Sequence, residues 1–236
     1  MVIGLIAERS PAVLGVQEAL RFQLDEISEA LPMFDFVGVG RDDGVDAGEF
    51  AAVFYDTRRF DVVDSGTFWF SEQPTVPGSK SWGNNIPRIC TWARLLERTQ
   101  GATLYVYNVH WDHESQPSRE RGAELLMSRI AARASPDDPV IVLGDFNAGP
   151  TNPAFRRLVD TEKGQLVDTF EAPDSNADST GTFHGFSGIP GSDRIDAVLA
   201  SPRWVVTSSA IVRTQADGRF PSDHFPVTAV LRLPAH

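Results

Sequence analysis

One pattern recurs along the whole chain: a short run of β-branched and aromatic residues gives way to a loop carrying Gly, Pro, Asn or Asp. Such runs predict strands over Val13–Gln17, Ala51–Tyr55, Ile89–Leu96, Thr103–Val109, Val140–Leu143, Ile195–Ala200, Val205–Val212 and Val227–Leu233. Helical period shows in two places only, where Leu20, Leu24, Ile27 and Leu31 share one face and Ala123, Leu126, Met127 and Ile130 share another. The 60s to 80s, with Pro74, Pro77, Gly78, Ser79 and Gly83, read as a long irregular insertion. Many strands and few helices in 236 residues predict an α/β chain of two packed sheets flanked by helices, a single domain over 1–236.

Charge narrows the partners. With 32 acidic against 21 basic residues the net charge is -11, which repels polyanions beyond the contact surface and disfavours tight binding of long nucleic acid. Cys90 is the only cysteine, so there is no intramolecular disulfide and no thiolate-cluster metal site. No apolar run reaches the roughly 20 residues that cross a bilayer. The apolar opening Met1–Ile6 is short, lacks a basic leader and runs into Glu8 and Arg9, so it does not read as a secretion signal, and a cytoplasmic protein is expected.

The residues able to do chemistry fall just past the ends of the predicted strands, where a rigid sheet positions loop side chains. Val140-Ile-Val-Leu-Gly-Asp-Phe-Asn147 stops at Gly144 and presents Asp145 and Asn147 two residues apart, which in extended chain places both on one face. The carboxylate can orient a water and the carboxamide steady it; an Asx-type turn closing a strand is an equal reading of the same residues. Asn108 and His110 share a face at the end of Thr103-Leu-Tyr-Val-Tyr-Asn-Val-His110, and a histidine there can stabilise charge that grows on a phosphate. Pro221-Ser-Asp-His-Phe-Pro-Val227 sets Asp223 and His224 on different sides of an extended chain. Asp196, opening the strand in Asp193-Arg-Ile-Asp-Ala-Val198, is placed to orient His224 and raise its basicity. Glu18, at the end of the first predicted strand, suits a hard cation such as Mg²⁺, which needs only one or two protein carboxylates beside waters and substrate.

These segments in this order resemble the endonuclease/exonuclease/phosphatase superfamily, from Gln17-Glu18 through Asn108-Val-His110 and Gly144-Asp-Phe-Asn147 to Ser222-Asp-His224. The resemblance implies a DNase I-like four-layer α/β/β/α sandwich and a metal-dependent hydrolase of phosphomonoesters or phosphodiesters. It implies Glu18 and Asp223 as Mg²⁺ or Mn²⁺ ligands, with His110, Asp145, Asn147, Asp196 and His224 as catalytic residues. The fuller pattern, with Gly48-Glu-Phe-Ala-Ala-Val-Phe-Tyr55, Pro77-Gly-Ser-Lys-Ser-Trp-Gly83, Pro87-Arg-Ile-Cys-Thr-Trp92 and Thr182-Phe-His-Gly-Phe186, resembles a branch of small bacterial proteins. That likeness places Glu49, Arg88, Trp92 and His184 at the pocket edge, where Arg88 would grip a phosphate through both arms of its fork; read as residues alone, Trp92 fits the core better and Arg88 fits a strand-surface charge equally well.

Members of the family normally begin with a strand whose asparagine joins the active site. Met1 here falls inside the helix that should follow it, so the first strand is expected to be missing and the true start to lie upstream. Two other functions remain open at this stage: a nuclease acting on short or single strands, and a non-catalytic binding domain. The first would call for basic and aromatic residues along a groove, and the second for loss of the acidic and histidine set that this chain retains.

Overall fold

The computed structural model describes residues 1–160, 166–172 and 180–232. Its centre is a six-stranded sheet in the order β4-β5-β6-β7-β9-β8, with β4 at Phe60–Trp69, β5 at Ile89–Glu97, β6 at Thr103–His110, β7 at Val140–Asp145, β8 at Val167–Asp168 and β9 at Asp196–Ala200. Alternation decides what each face meets. On β5, β6, β7 and β9 the set Cys90, Tyr105, Tyr107, Val140, Val142, Ala197 and Leu199 points outward, onto Ala123, Leu126 and Ile130 of helix α3 (Gln116–Ala131) and Phe155 and Leu158 of helix α4 (Pro153–Leu158). The intervening residues Ala93, Leu95, Leu104, Val106 and Ile141 point inward.

The inward face packs on β3 (Phe50–Asp56) through Val53 and Tyr55. Strand β3 is the middle of a three-stranded sheet in the order β1-β3-β2, with β1 at Val13–Ala19 and β2 at Phe34–Val37. Its other face, through Phe50, Ala52 and Phe54, meets Ile6 of α1 (Val2–Arg9) and Leu24 and Ile27 of α2 (Arg21–Ala30). The layers run helix, sheet, sheet, helix, as the sequence implies. A two-stranded pair, β10 (Val205–Ile211) and β11 (Val227–Arg232), continues the second layer, with Leu231 in the inter-sheet core. Strand β1 packs over β6 and β7, and β11 over β9. Among the described residues β1 pairs only with β3 and β11 only with β10.

Helix starts follow their caps. Ser115 accepts from Ser118 N at the head of α3 and Asn152 accepts from Ala154 N at the head of α4, and each helix carries proline in its first turn, where a missing N–H costs nothing. The expected strands are all present within a residue or two at their ends; Leu233 lies outside the described residues. One expectation fails. The first third of the supposed irregular insertion is β4, ten residues long, and only the stretch after it is loop. As an edge strand, β4 carries Asp61, Asp64, Ser65 and Gly66, and this polarity hid it. No helix among the described residues is long and apolar enough to cross a membrane.

The two sheets are tied by Asn108 rather than by apolar contact alone. Fully buried on β6, it donates Nδ2–H to Val16 O at 3.1 Å and Ala52 O at 2.8 Å and accepts Gln17 Nε2–H at 2.6 Å. Asn108 does share the face of His110, but it is a fastener between layers. Replacing it by leucine leaves two carbonyls and an amide unpaired, and each buried unsatisfied group costs about 1–3 kcal/mol. We expect Asn108→Leu to lower unfolding free energy in urea by about 2–4 kcal/mol; a loss below about 1 kcal/mol would show that the carbonyls find other partners.

Candidate active site

Strand register assembles the centre. In the ladder His110 of β6 stands opposite Asp145 of β7, and Asp145 opposite Asp196 of β9, so three functional side chains lie in one row across adjacent strands. The approach is tight, and Gly144 makes it so: with φ 131°, a side chain there would meet Val109 O at 2.1 Å. Asp145 is buried. Its Oδ1 accepts Asn147 N–H at 2.8 Å and its Oδ2 accepts Asn147 Nδ2–H at 3.0 Å, while Nδ2 also donates to Trp111 O. The pairing read from sequence is present, though not by extended geometry. Asn147 has φ 45°, so the chain turns, and the Asx turn and the carboxylate–carboxamide pair are the same feature.

Asp196 Oδ2 lies 2.8 Å from His224 Nδ1. Burial alone would lower the His224 pKa, but the Asp196 hydrogen bond and the charges of Asp196, Asp145 and Asp223 override it and push it up to about 9. Burial, then the charge of Asp196, raises Asp145 to about 7, with His224 pulling the other way. Asp196 is held in turn. Its backbone N–H donates to Thr182 Oγ1 and its carbonyl accepts from Arg194, whose buried guanidinium is paired with buried Asp168 and lies over Phe170.

Opposite this dyad, β1 ends in a register shift between Val16 and Ala19, with Glu18 at φ 60°. The irregularity turns the Glu18 side chain, 59% exposed, out of the ladder. Glu18, Glu49 and His110 each bring a ligand atom to within 4.8 Å of the others, the one such group found among the described residues. Burial raises the Glu49 carboxyl, the paired Arg41 guanidinium opposes this and the Glu18 charge adds to it. Burial, then the Arg88 charge, depresses His110 well below the usual imidazole range. Arg88 Nη1 sits 2.7 Å from His110 Nε2, and a guanidinium can only donate, so Nε2 is the acceptor. That leaves the two carboxylates as the groups that could hold a cation, an oxygen set that suits a hard divalent ion keeping several waters.

Seven residues read from sequence therefore converge: Glu18, Glu49, His110, Asp145, Asn147, Asp196 and His224. Glu49, expected against substrate, stands with Glu18. Asp223 lies outside that group, beside His224; its carbonyl accepts from His184 and Gly185 N–H, and its Oδ1 is 3.4 Å from Ser222 Oγ. Arg88 and His184 also differ from their expected places at the pocket edge, and Trp92 takes the core place that was its alternative reading. Arg88 is buried with Nε facing Asp112, Nη1 on His110 and Nη2 on His113 Nδ1, so it braces the site from beneath instead of offering an open fork. Trp92 packs in the outer core beside Tyr105, because its strand position faces α3. His184, 5% exposed, is stacked on Phe225 and supports the rim from below. Arg41, Asp112 and Arg194 were missed. Each acts through a tertiary partner, and the sequence signals only that Asp112 and Arg194 each lie two residues from one already singled out, His110 and Asp196.

The profile of the Endonuclease/Exonuclease/phosphatase family matches residues 2–224. Among solved structures, an endonuclease/exonuclease/phosphatase family protein from Bacteroides thetaiotaomicron is 34% identical, with TM-score 0.92 over 99% of this chain and 88% of that one. A mannosyl-6-phosphatase from Bacteroides thetaiotaomicron VPI-5482 is also 34% identical, with TM-score 0.90 over 98% of this chain and 89% of that one. The D. rerio TDP2 complexed with single-strand DNA product shares the fold at 17% identity and TM-score 0.76, over 98% of this chain and 90% of that one. No curated protein matches in sequence. With its motifs on adjoining strand ends of a four-layer sandwich, the chain belongs to the endonuclease/exonuclease/phosphatase family.

Proposed function

We propose that this protein is a divalent-metal-dependent phosphoesterase that hydrolyses a small phosphate ester by direct attack of water. The observation that carries the reading is the place of one imidazole: His110 Nε2 is 3.6 Å from Asp145 Oδ2 and 3.7 Å from Glu18 Oε1. The acid that would orient water and the acid that would hold a cation thus flank one buried imidazole. The similarity to a mannosyl-6-phosphatase supports a sugar phosphate monoester, and the charge of -11 weighs against long nucleic acid.

Asp145, with its proton affinity raised, accepts a proton from the attacking water while Asn147 fixes the carboxylate's orientation. His224, anchored through Nδ1 on Asp196, carries a positive charge at neutral pH and donates to a phosphate oxygen as negative charge grows there. Asn108 and Arg88 hold His110 and its neighbours in place. Glu18 and Glu49 would hold a Mg²⁺ or Mn²⁺ ion, which would supply charge neutralisation on the phosphate oxygens.

Three outcomes are expected. In a panel of p-nitrophenyl phosphate, bis-p-nitrophenyl phosphate, a hexose 6-phosphate and an oligonucleotide, turnover should disappear with EDTA and return with Mg²⁺ or Mn²⁺. Full activity after exhaustive chelation would refute the metal. His224→Ala and Asp196→Ala should each cut kcat by a factor of about 10² or more, and the double variant should be little worse, because the pair acts as one unit; multiplying losses would separate them.

The pair also sets a pH dependence. The folded pKa of His224, about 9, lies above its ordinary value of 6.5, so the stability it contributes is complete below about pH 6.5 and is lost as pH rises through 9. The difference in thermal midpoint between wild type and Asp196→Asn should be largest near pH 6 and fade above about pH 9. A difference that grows with pH would contradict the assignment.

A further inference from the structure

Two phenylalanines stand in the open beside the chemistry. Phe183 is 46% exposed and Phe186 is 61% exposed, and Ile189, at 75%, extends the same edge. Phe183 forms an isolated antiparallel bridge with His224, and its ring meets that imidazole edge-on with centroids 5.1 Å apart. Phe186 lies three residues on, in a turn that is firmly anchored. His184 and Gly185 N–H both donate to Asp223 O, and Ser187 N–H closes the turn onto His184 O. Beneath it the His184 ring stacks on buried Phe225 at 4.0 Å and meets Phe220 edge-on at 4.8 Å.

Two features of this turn run against what folding alone would select. Phe186 has φ 62°, a backbone state that costs a bulky residue on the order of 1–3 kcal/mol and that glycine would adopt freely. Its ring is then left in water, so it returns nothing to the core for that strain. A rigid, strained turn that lifts apolar rings at the mouth of a catalytic centre is a ligand surface, because apolar area there is covered only when something binds.

We propose that Phe183 and Phe186 form the platform on which the alcohol part of the ester rests, and that this part is a sugar ring whose C–H face lies on the aromatic rings while its hydroxyls remain in water. The inference rests on the phosphoesterase reading above. The platform adjoins His224, so an ester bound with its phosphoryl group between His110, Asp145 and His224 would direct its alcohol toward Phe183. The shape of the patch selects among alcohols. An acyl chain requires an enclosed apolar groove, whereas these rings are open; a nucleic acid requires a cationic track, and the chain is acidic, at -11.

The test compares wild type, Phe186→Ala and Phe186→Trp with Mg²⁺ on a hexose 6-phosphate and on glycerol phosphate, which presents no ring. Phe183 is left intact because it touches His224. Phe186→Ala should lower the ratio of kcat/KM for the hexose ester over the glycerol ester by about tenfold, through KM, a size typical of one aromatic contact. Phe186→Trp should restore the ratio, which a merely structural role would not do, and a thermal midpoint close to wild type confirms that the variants fold. An unchanged ratio in an active Phe186→Ala, or a tryptophan variant no better than alanine, would overturn the platform while leaving the phosphoesterase reading intact. Turnover of neither ester by wild type would overturn the reading itself, and this inference with it.

Discussion

The row of His110, Asp145 and Asp196 across β6, β7 and β9 is the constraint on which the rest depends. Side chains alternate along a strand, so slipping any of the three by one residue would send its functional group into the core beneath α3. Register is fixed from both sides. Outward, Tyr105, Tyr107, Val140, Val142, Ala197 and Leu199 are committed to the helices; inward, Asn108 is committed to the carbonyls of β1 and β3. The same hydrogen bonds that join the layers, with Gln17 donating to Asn108, fix the strand end from which Glu18 departs.

Charge is distributed so that two histidines do two things. Burial and the touching Arg88 guanidinium push His110 well below the usual imidazole range despite the nearby Asp145 and Glu18, whereas the carboxylates around His224 push it up to about 9. Asp145 and Asp196 repel each other across the ladder, and His224 compensates both. Glu49 is paired with Arg41 and feels the Arg88 charge as well, while the Glu18 charge opposes both, and it is between these two carboxylates that we propose a cation.

Much of this was legible in the sequence because it depends on local pattern. Strands buried on both faces announce themselves as apolar runs, and polar residues just past their ends stand out for the same reason. What escaped depends on position in space. Strand β4 was hidden by the polarity its edge position allows. The geometry of Asp145 and Asn147 was misjudged because a positive φ at Asn147 is invisible in residue type. Glu49 was placed with substrate rather than with Glu18 because 31 positions separate them in the chain and only the β1–β3 ladder joins them. Trp92 and His184 are aromatic groups near the site in sequence whose faces are set by strand parity and by stacking, not by proximity. The resemblance to a family supplied the order of the motifs, and the structure supplied which side chains meet.

The account stands most directly on where a cation sits relative to the row. Crystals soaked with Mn²⁺ and diffracted at the manganese edge would locate it by anomalous scattering. The account predicts a peak bonded to carboxylate oxygens of both Glu18 and Glu49, on the Glu18 side of His110. A peak on Asp145 or at the Asp196–His224 pair, or none at saturating Mn²⁺, would contradict it.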